Sequence, residues 1–141
     1  MDLGMIGPAI VLGLSCLGSA IGCGIGAMAG LGVMARVDEN HGKFIGLFAM
    51  PSSQSIYGLV LMILMSAQIK ANALQPLPAV GIGLFVGLAI MISAIYQGMC
   101  AASGIQAVAK QPSVFGKCMA ALGIVESFSL FAFVFGYILI R

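Results

Sequence analysis

The chain has 141 residues, of which 61% are hydrophobic and only 7% charged, with a net charge of +2. A soluble domain carries about a quarter charged residues because its surface faces water, so a water-exposed globule is excluded. So small a net charge also implies no nucleic-acid partner.

Four apolar segments follow one another. The first opens Met1-Asp2-Leu3, with no basic segment ahead of it, and runs past Ala27 to Val33. That is longer than the apolar core of a signal peptide, so the segment reads as a retained helix. A transmembrane helix needs about 20 apolar residues, and all four segments supply them. The expected helices are 3–35 and 44–69 in a first hairpin (residues 1–69). A second hairpin (78–141) holds helices 78–109 and 113–140. The third helix is expected to start near Pro78, because proline is tolerated in a first turn. The fold class is therefore all-α integral membrane, with four transmembrane helices arranged as two tandem helical hairpins.

The connections set the topology. Arg36 to Lys43 and Lys110 to Lys117 are polar loops, while Lys70 to Leu77 carries a single lysine. Four basic residues thus lie on one side, against Lys70 and Arg141 on the other. The positive-inside rule puts both basic loops in the cytoplasm and both termini outside, as in a bacterial or archaeal plasma membrane.

The two hairpins are copies of one another at a shift of 74 residues. Gly7 falls on Gly81, Gly24 on Gly98, Ala35-Arg36 on Ala109-Lys110, Gly42-Lys43 on Gly116-Lys117, and Ser53 on Ser127, all without a gap. Basic loop ends that match in register mark a duplication. Small residues recur every fourth position in the first helix (Gly18, Gly22, Gly26, Gly30) and in the third (Ala94, Gly98, Ala102). That spacing lets backbones approach closely in lipid. It fits either ordinary packing within one monomer or, better for stripes this long, a crowded inner wall in a ring of many copies.

Polar side chains reach one depth on three helices. Glu126, the one acid of the fourth helix, lies roughly 20 Å from the cytoplasmic end, Gln97 roughly 18 Å, and Ser53 and Gln54 roughly 15 Å. In the second helix, Met50, Ser53, Gln54 and Tyr57 share a face at i, i+3, i+4 and i+7. Pro51 lacks an N–H and distorts the local turn, which releases backbone carbonyls near Leu47 and Met50. A hydroxyl, two amide oxygens, a carbonyl and a carboxylate make an all-oxygen set of the kind hard cations prefer. A carboxylate at mid-membrane costs about 2.5–3.5 kcal/mol and is tolerated when a proton or a bound cation neutralises it. The plainer reading is a permanently protonated Glu126 bonded to Tyr57 or Gln97.

At these residues the chain resembles the proteolipid, or rotor-ring, subunit of V-type ATPases in its duplicated-hairpin form, called subunit K or c. The resemblance spans the whole chain and rests on Met50-Pro51-Ser52-Ser53-Gln54-Ser55-Ile56-Tyr57-Gly58, Gln97-Gly98, Ala109-Lys110-Gln111-Pro112 and Ile124-Val125-Glu126-Ser127. It implies a homo-oligomeric ring that carries Na+, with H+ as the alternative cargo and no organic cofactor. The ion ligands it implies are the Met50 carbonyl, Ser53, Gln54, Gln97 and Glu126, with Tyr57 locking the carboxylate. Further implied partners are a stator subunit supplying an arginine, central-stalk subunits at the cytoplasmic loops, and the bilayer. Glu126 falls on Ser52 and Gln97 on Cys23 at the repeat shift, so one ion is expected per four helices. The chain is not expected to be catalytic alone, since no Gly-Lys-Ser or Gly-Lys-Thr phosphate loop occurs.

Two other classes fit part of the pattern. An oligomeric tetraspan channel or a small cation-coupled secondary transporter also uses duplicated halves and midplane carboxylates, but no charged pathway leads from Glu126 to either surface. A structural scaffold leaves the matched polar depths unexplained. Cys16, Cys23, Cys100 and Cys118 lack metal-ligand spacing and read as small hydrophobes. His41, Asp38 and Glu39 read as a hydrated loop.

Overall fold

The computed structural model describes residues 3–141; Met1 and Asp2, on which the expected absence of a basic leader rests, lie outside the described residues. Four helical spans are long and apolar enough to cross a membrane: Leu3–Met34, His41–Lys70, Pro76–Lys110 and Pro112–Leu139. The regular α-helices within them are α1 (Ile6–Met34), α2 (His41–Ala49), α3 (Ser53–Lys70), α4 (Pro76–Lys110) and α5 (Phe115–Leu139). Short 3₁₀ turns precede α1 and α5 and join α2 to α3.

The boundaries differ from the sequence reading where local chemistry intervenes. The third span starts at Pro76, earlier than Pro78, because a proline at the first helical position costs no hydrogen bond. Pro78 is also accommodated in that first turn. The first polar loop is shorter than 36–43. Asn40 takes a left-handed φ of 65° and the helix resumes at His41, a conformation that asparagine tolerates better than most residues. His41 Nε2 lies 2.6 Å from the Val37 carbonyl oxygen and closes that turn. Lys117 likewise sits inside α5 rather than in a loop. The two basic ends meet, with Lys43 Nζ 5.9 Å from the Phe115 ring centroid.

The most extensive packing joins α1 to α4. A Cβ built on Gly7 would strike the Ala79 carbonyl, one on Gly22 the Ala94 carbonyl, and one on Gly98 the backbone of Gly22. These helices therefore touch backbone to backbone, which hydrogen in place of a side chain permits and which lipid favours through dispersion contacts. Gly18, Gly22, Gly26 and Gly30 are all buried, as the stripe predicts. On α4 the buried face runs Ala94, Gln97, Gly98, Ala101 and Gly104. Ala102 is only half-buried, because the helix alternates steps of three and four rather than strict fours. The second and fourth spans flank this pair, with Phe48 lying over Gly26 and Gly30.

Buried side chains form two apolar clusters. One holds Val11, Leu61, Met65, Ala79, Val86 and Ile90. The other, toward the basic loops, holds Phe44, Leu47, Ala101, Ile105, Val108 and Leu122. The polar residues of the second, third and fourth spans lie between them in sequence depth.

Candidate functional site

The second span breaks at Met50–Ser52, one 3₁₀ turn between α2 and α3. Pro51 has no N–H to give the carbonyl four residues back, and the turn tightens so that the Ser53 N–H bonds the Met50 carbonyl. The Ser53 hydroxyl also lies 2.9 Å from that carbonyl oxygen. Ser52 turns its hydroxyl back onto the Ala49 carbonyl at 2.7 Å. The break thereby sets Ser53 and Tyr57, one turn apart, toward α5.

Glu126 on α5 meets them. Its Oε1 is 2.5 Å from the Ser53 hydroxyl and accepts a bond from the Tyr57 hydroxyl at 3.0 Å. Its Oε2 faces Gln97 Nε2 at 3.4 Å. Gln97 on α4 is fully buried and anchored by Nε2 to the Leu122 carbonyl at 3.1 Å, one turn before Glu126. Gln54 Nε2 donates to Gln97 Oε1 at 2.9 Å. Ser53, Tyr57 and Gln97 thus touch the carboxyl group directly. Gln54 reaches it only through Gln97, and the Met50 carbonyl only through Ser53.

Two features bear on what this cluster can hold. Gln54 is fully buried, and its Oε1 has no hydrogen-bond partner. An amide oxygen left so in an apolar interior costs about 1–3 kcal/mol. The Ser53 hydroxyl carries a single proton yet has two acceptors in reach. When it donates to Met50, the short contact to Glu126 requires the proton to be on the carboxyl group.

The sequence reading overlooked the groups that fix the backbone here. Ser93 donates to the Val125 carbonyl at 2.8 Å, and Ser129 to the Glu126 carbonyl at 2.7 Å. Ser93 sits four residues before Gln97, on the same face, and that spacing was its signal. The Leu122 carbonyl had none, since any residue supplies a backbone oxygen. Tyr57→Phe should free Oε1 from one donor while leaving the ring tilted against Phe133, whose centroid is 6.1 Å away. A hydrogen bond to a charged group is worth about 1.5–3 kcal/mol, so carbodiimide should label Glu126 about tenfold faster or more. An unchanged labelling rate would show that the phenol does not restrain the carboxylate.

The cluster has a carboxylate from the fourth span at its centre, polar groups of the second and third spans around it, and apolar side chains on either side. A site of this chemistry can hold a proton or a small cation; among the described residues no group of three or more His, Cys, Asp or Glu side chains could hold a metal ion. In the repeat-related position of the first hairpin, Ser52 and Cys23 replace Glu126 and Gln97, leaving no acid there.

Comparison with known proteins agrees with the duplication. The A-type ATP synthase subunit K of Methanocaldococcus jannaschii is 39% identical over 117 residues, which is 83% of this chain and 52% of that protein. The chain therefore spans about half the length of that relative. The V-type sodium ATPase subunit K of Enterococcus hirae is 30% identical over 128 residues, 89% of this chain and 82% of that protein. The ATP synthase C-subunit family matches twice, at residues 6–65 and again at 80–139. The chain is an integral membrane protein of the ATP synthase C-subunit family, two of whose hairpins are joined in one polypeptide.

Proposed function

We propose that this chain is the ring-forming subunit of a rotary V-type or A-type ATPase and that Glu126 carries Na+ through the membrane. The observation that carries the reading is the unpaired, fully buried Gln54 Oε1 in the cluster around Glu126. A buried acceptor without a donor is costly, and a cation among these oxygens supplies what it lacks. The Met50 carbonyl, Ser53, Gln54, Gln97 and Glu126 provide the hard oxygen donors that such an ion prefers. Tyr57 holds the carboxylate toward them. The sodium ATPase from Enterococcus hirae among the relatives supports the same cargo.

Copies of the chain form a ring in which each loaded site is neutral and therefore passes through lipid without the penalty of a bare charge. An arginine of a stator subunit displaces the ion by pairing with Glu126. The basic loops face the cytoplasm and meet the central stalk, and both termini face outward. ATP chemistry belongs to other subunits. With no acid at Ser52, each chain moves one ion per four helices, so a turn of the ring carries fewer ions than a ring with an acid on every hairpin.

A proton is the second reading, favoured by the two acceptors that share the single Ser53 hydroxyl proton: when that proton goes to the Met50 carbonyl, the contact with Glu126 needs one on the carboxyl group. One experiment separates the two. Carbodiimide attacks a protonated, unoccupied carboxyl group, so Glu126 should be labelled in purified rings and protected by millimolar Na+ at fixed pH. Labelling that ignores Na+ while falling as pH rises would assign the site to protons. Absence of labelling at Glu126 under every condition would overturn both readings.

A further inference from the structure

Among the described residues, two buried polar side-chain atoms have no hydrogen-bond partner: Gln54 Oε1 and, on α1, Ser19 Oγ. Gln54 is 0% exposed and Ser19 5%, so neither reaches the outside. Packing brings the two residues to one level. A Cβ on Gly58 would strike Ser15, one on Gly22 would meet Pro51, and one on Gly26 would strike Phe48. The first and second spans therefore run antiparallel in a fixed register. Ser19, three residues before Gly22, lies opposite Gln54, three residues after Pro51.

The hairpin repeat shows why the Ser19 hydroxyl is left over. Its counterpart at the shift of 74 is Ser93, which donates to the Val125 carbonyl at 2.8 Å. The equivalent acceptor for Ser19 is the Pro51 carbonyl. Pro51 lies in the 3₁₀ turn, where the backbone winds more tightly than in an α-helix, and Ser19 finds no partner there. Nor does it turn back onto its own helix. Ser15, Ser66 and Ser103 each donate to the carbonyl four residues earlier, and Ser19 makes no such bond. The break that turns Ser53 and Tyr57 toward Glu126 thus also frees a hydroxyl on the first span. It faces an amide oxygen that needs a donor.

We infer that Ser19 and Gln54 form a loading switch behind the ion site: the Ser19 hydroxyl donates to Gln54 Oε1 while Glu126 carries no cation, and gives that oxygen up when a cation binds. This rests on the sodium reading above and adds a first-span residue to it. Ser19 acts through Gln54, so it is a positioning residue and not a ligand. Gln54 is already anchored at its other end, with Nε2 on Gln97 Oε1 at 2.9 Å, and its oxygen stays on the Ser19 side. Rotation about the Ser19 Cα–Cβ bond carries the hydroxyl between two staggered positions. One meets Gln54 Oε1 and the other meets the Ser15 carbonyl. In the empty site the first spares a buried acceptor the cost of having no donor. In the loaded site the cation satisfies that acceptor and the hydroxyl takes the second position, which adds little to helix stability. The switch therefore stabilises the empty site over the loaded one and eases release of the ion.

Ser19→Ala tests this, because it removes the donor and leaves an unpaired oxygen only in the empty site. In purified protein, the Na+ concentration that half-protects Glu126 from carbodiimide should fall roughly two- to tenfold, the worth of one neutral hydrogen bond. The thermal midpoint should lie below that of the parent without Na+ and match it at saturating Na+, since binding offsets the loss. A residue that only filled space would lower the midpoint equally in both conditions. Ser19→Cys keeps the shape but is a weak donor, and it should follow the alanine variant. Unchanged or weakened protection in Ser19→Ala, a midpoint deficit that Na+ does not remove, or parental behaviour of Ser19→Cys would overturn the switch and leave the sodium site standing. Failure of Na+ to protect the unsubstituted protein would overturn the sodium reading, and the switch with it.

Discussion

Glu126→Gln should abolish ion transport in the assembled enzyme while the ring still forms. The amide matches the carboxylate in size, and its oxygen can still accept from Ser53 at the 2.5 Å and from Tyr57 at the 3.0 Å positions seen here. Packing between α5 and α3 therefore persists. The negative charge does not. Removing one partner of a buried charge pair costs about 3–5 kcal/mol, which lowers cation affinity by at least about a hundredfold. The amide nitrogen would also face Gln97 Nε2, setting donor against donor where the carboxylate oxygen now lies at 3.4 Å. Uptake of labelled Na+ into vesicles carrying the complete enzyme measures the first effect, and native gel migration the second. Transport at the unsubstituted rate would remove Glu126 from the ion path; loss of the ring alone would make it a structural residue.

Gly98→Leu should have the largest effect on the structure. A Cβ at Gly98 already falls on Gly22, with Gly22 Cα at 2.5 Å. The obstacle is backbone, so no side-chain rotation relieves it. Overpacking a close-packed interior costs typically about 1–3 kcal/mol, and a leucine forced between two touching helices belongs at or above the top of that range. The damage reaches the site, because Gln97 is the preceding residue and its amide would move away from Leu122 and Gln54. The expected result is loss of detergent resistance, loss of Na+ protection at Glu126, and a marked fall in the thermal midpoint of the purified protein. Gly24→Leu offers the contrast. The same substitution at the repeat-related position leaves the chain intact, because open space and not backbone surrounds it. A Gly98→Leu protein as stable as the parent would show that α1 and α4 are not in backbone contact.

The polar cluster was legible because each member breaks a strong rule. Glu126 is an acid deep inside an apolar helix, Gln97 and Gln54 are amides at similar depth, and Pro51 interrupts a span that otherwise needs every backbone bond satisfied. Depth follows directly from residue count along a helix, so three helices could be compared without knowing their neighbours. Rotation about each axis is a weaker inference. Met50, Ser53, Gln54 and Tyr57 share a face, yet they divide their contacts between α5 and α4, with Gln54 turned to Gln97 and Ser53 and Tyr57 to Glu126. A face spanning two neighbours looks the same in sequence as a face against one.

Sequence alone determined that four helices cross the membrane, that they are two copies of one hairpin, and that a single acid lies among oxygen donors at mid-depth. Each of these follows from composition and spacing along one chain, where periodicity and helical rise are enough. Only the tertiary structure decided which oxygens touch the carboxyl group, that Ala101 rather than Ala102 completes the buried face of α4, and that Ser93 and the Leu122 carbonyl steady the site. Those outcomes depend on how helices rotate and approach one another. In lipid that is settled by backbone contact at Gly22 and Gly98 and by the proline break at Met50–Ser52, where differences of a fraction of a turn redirect a side chain from one neighbour to another.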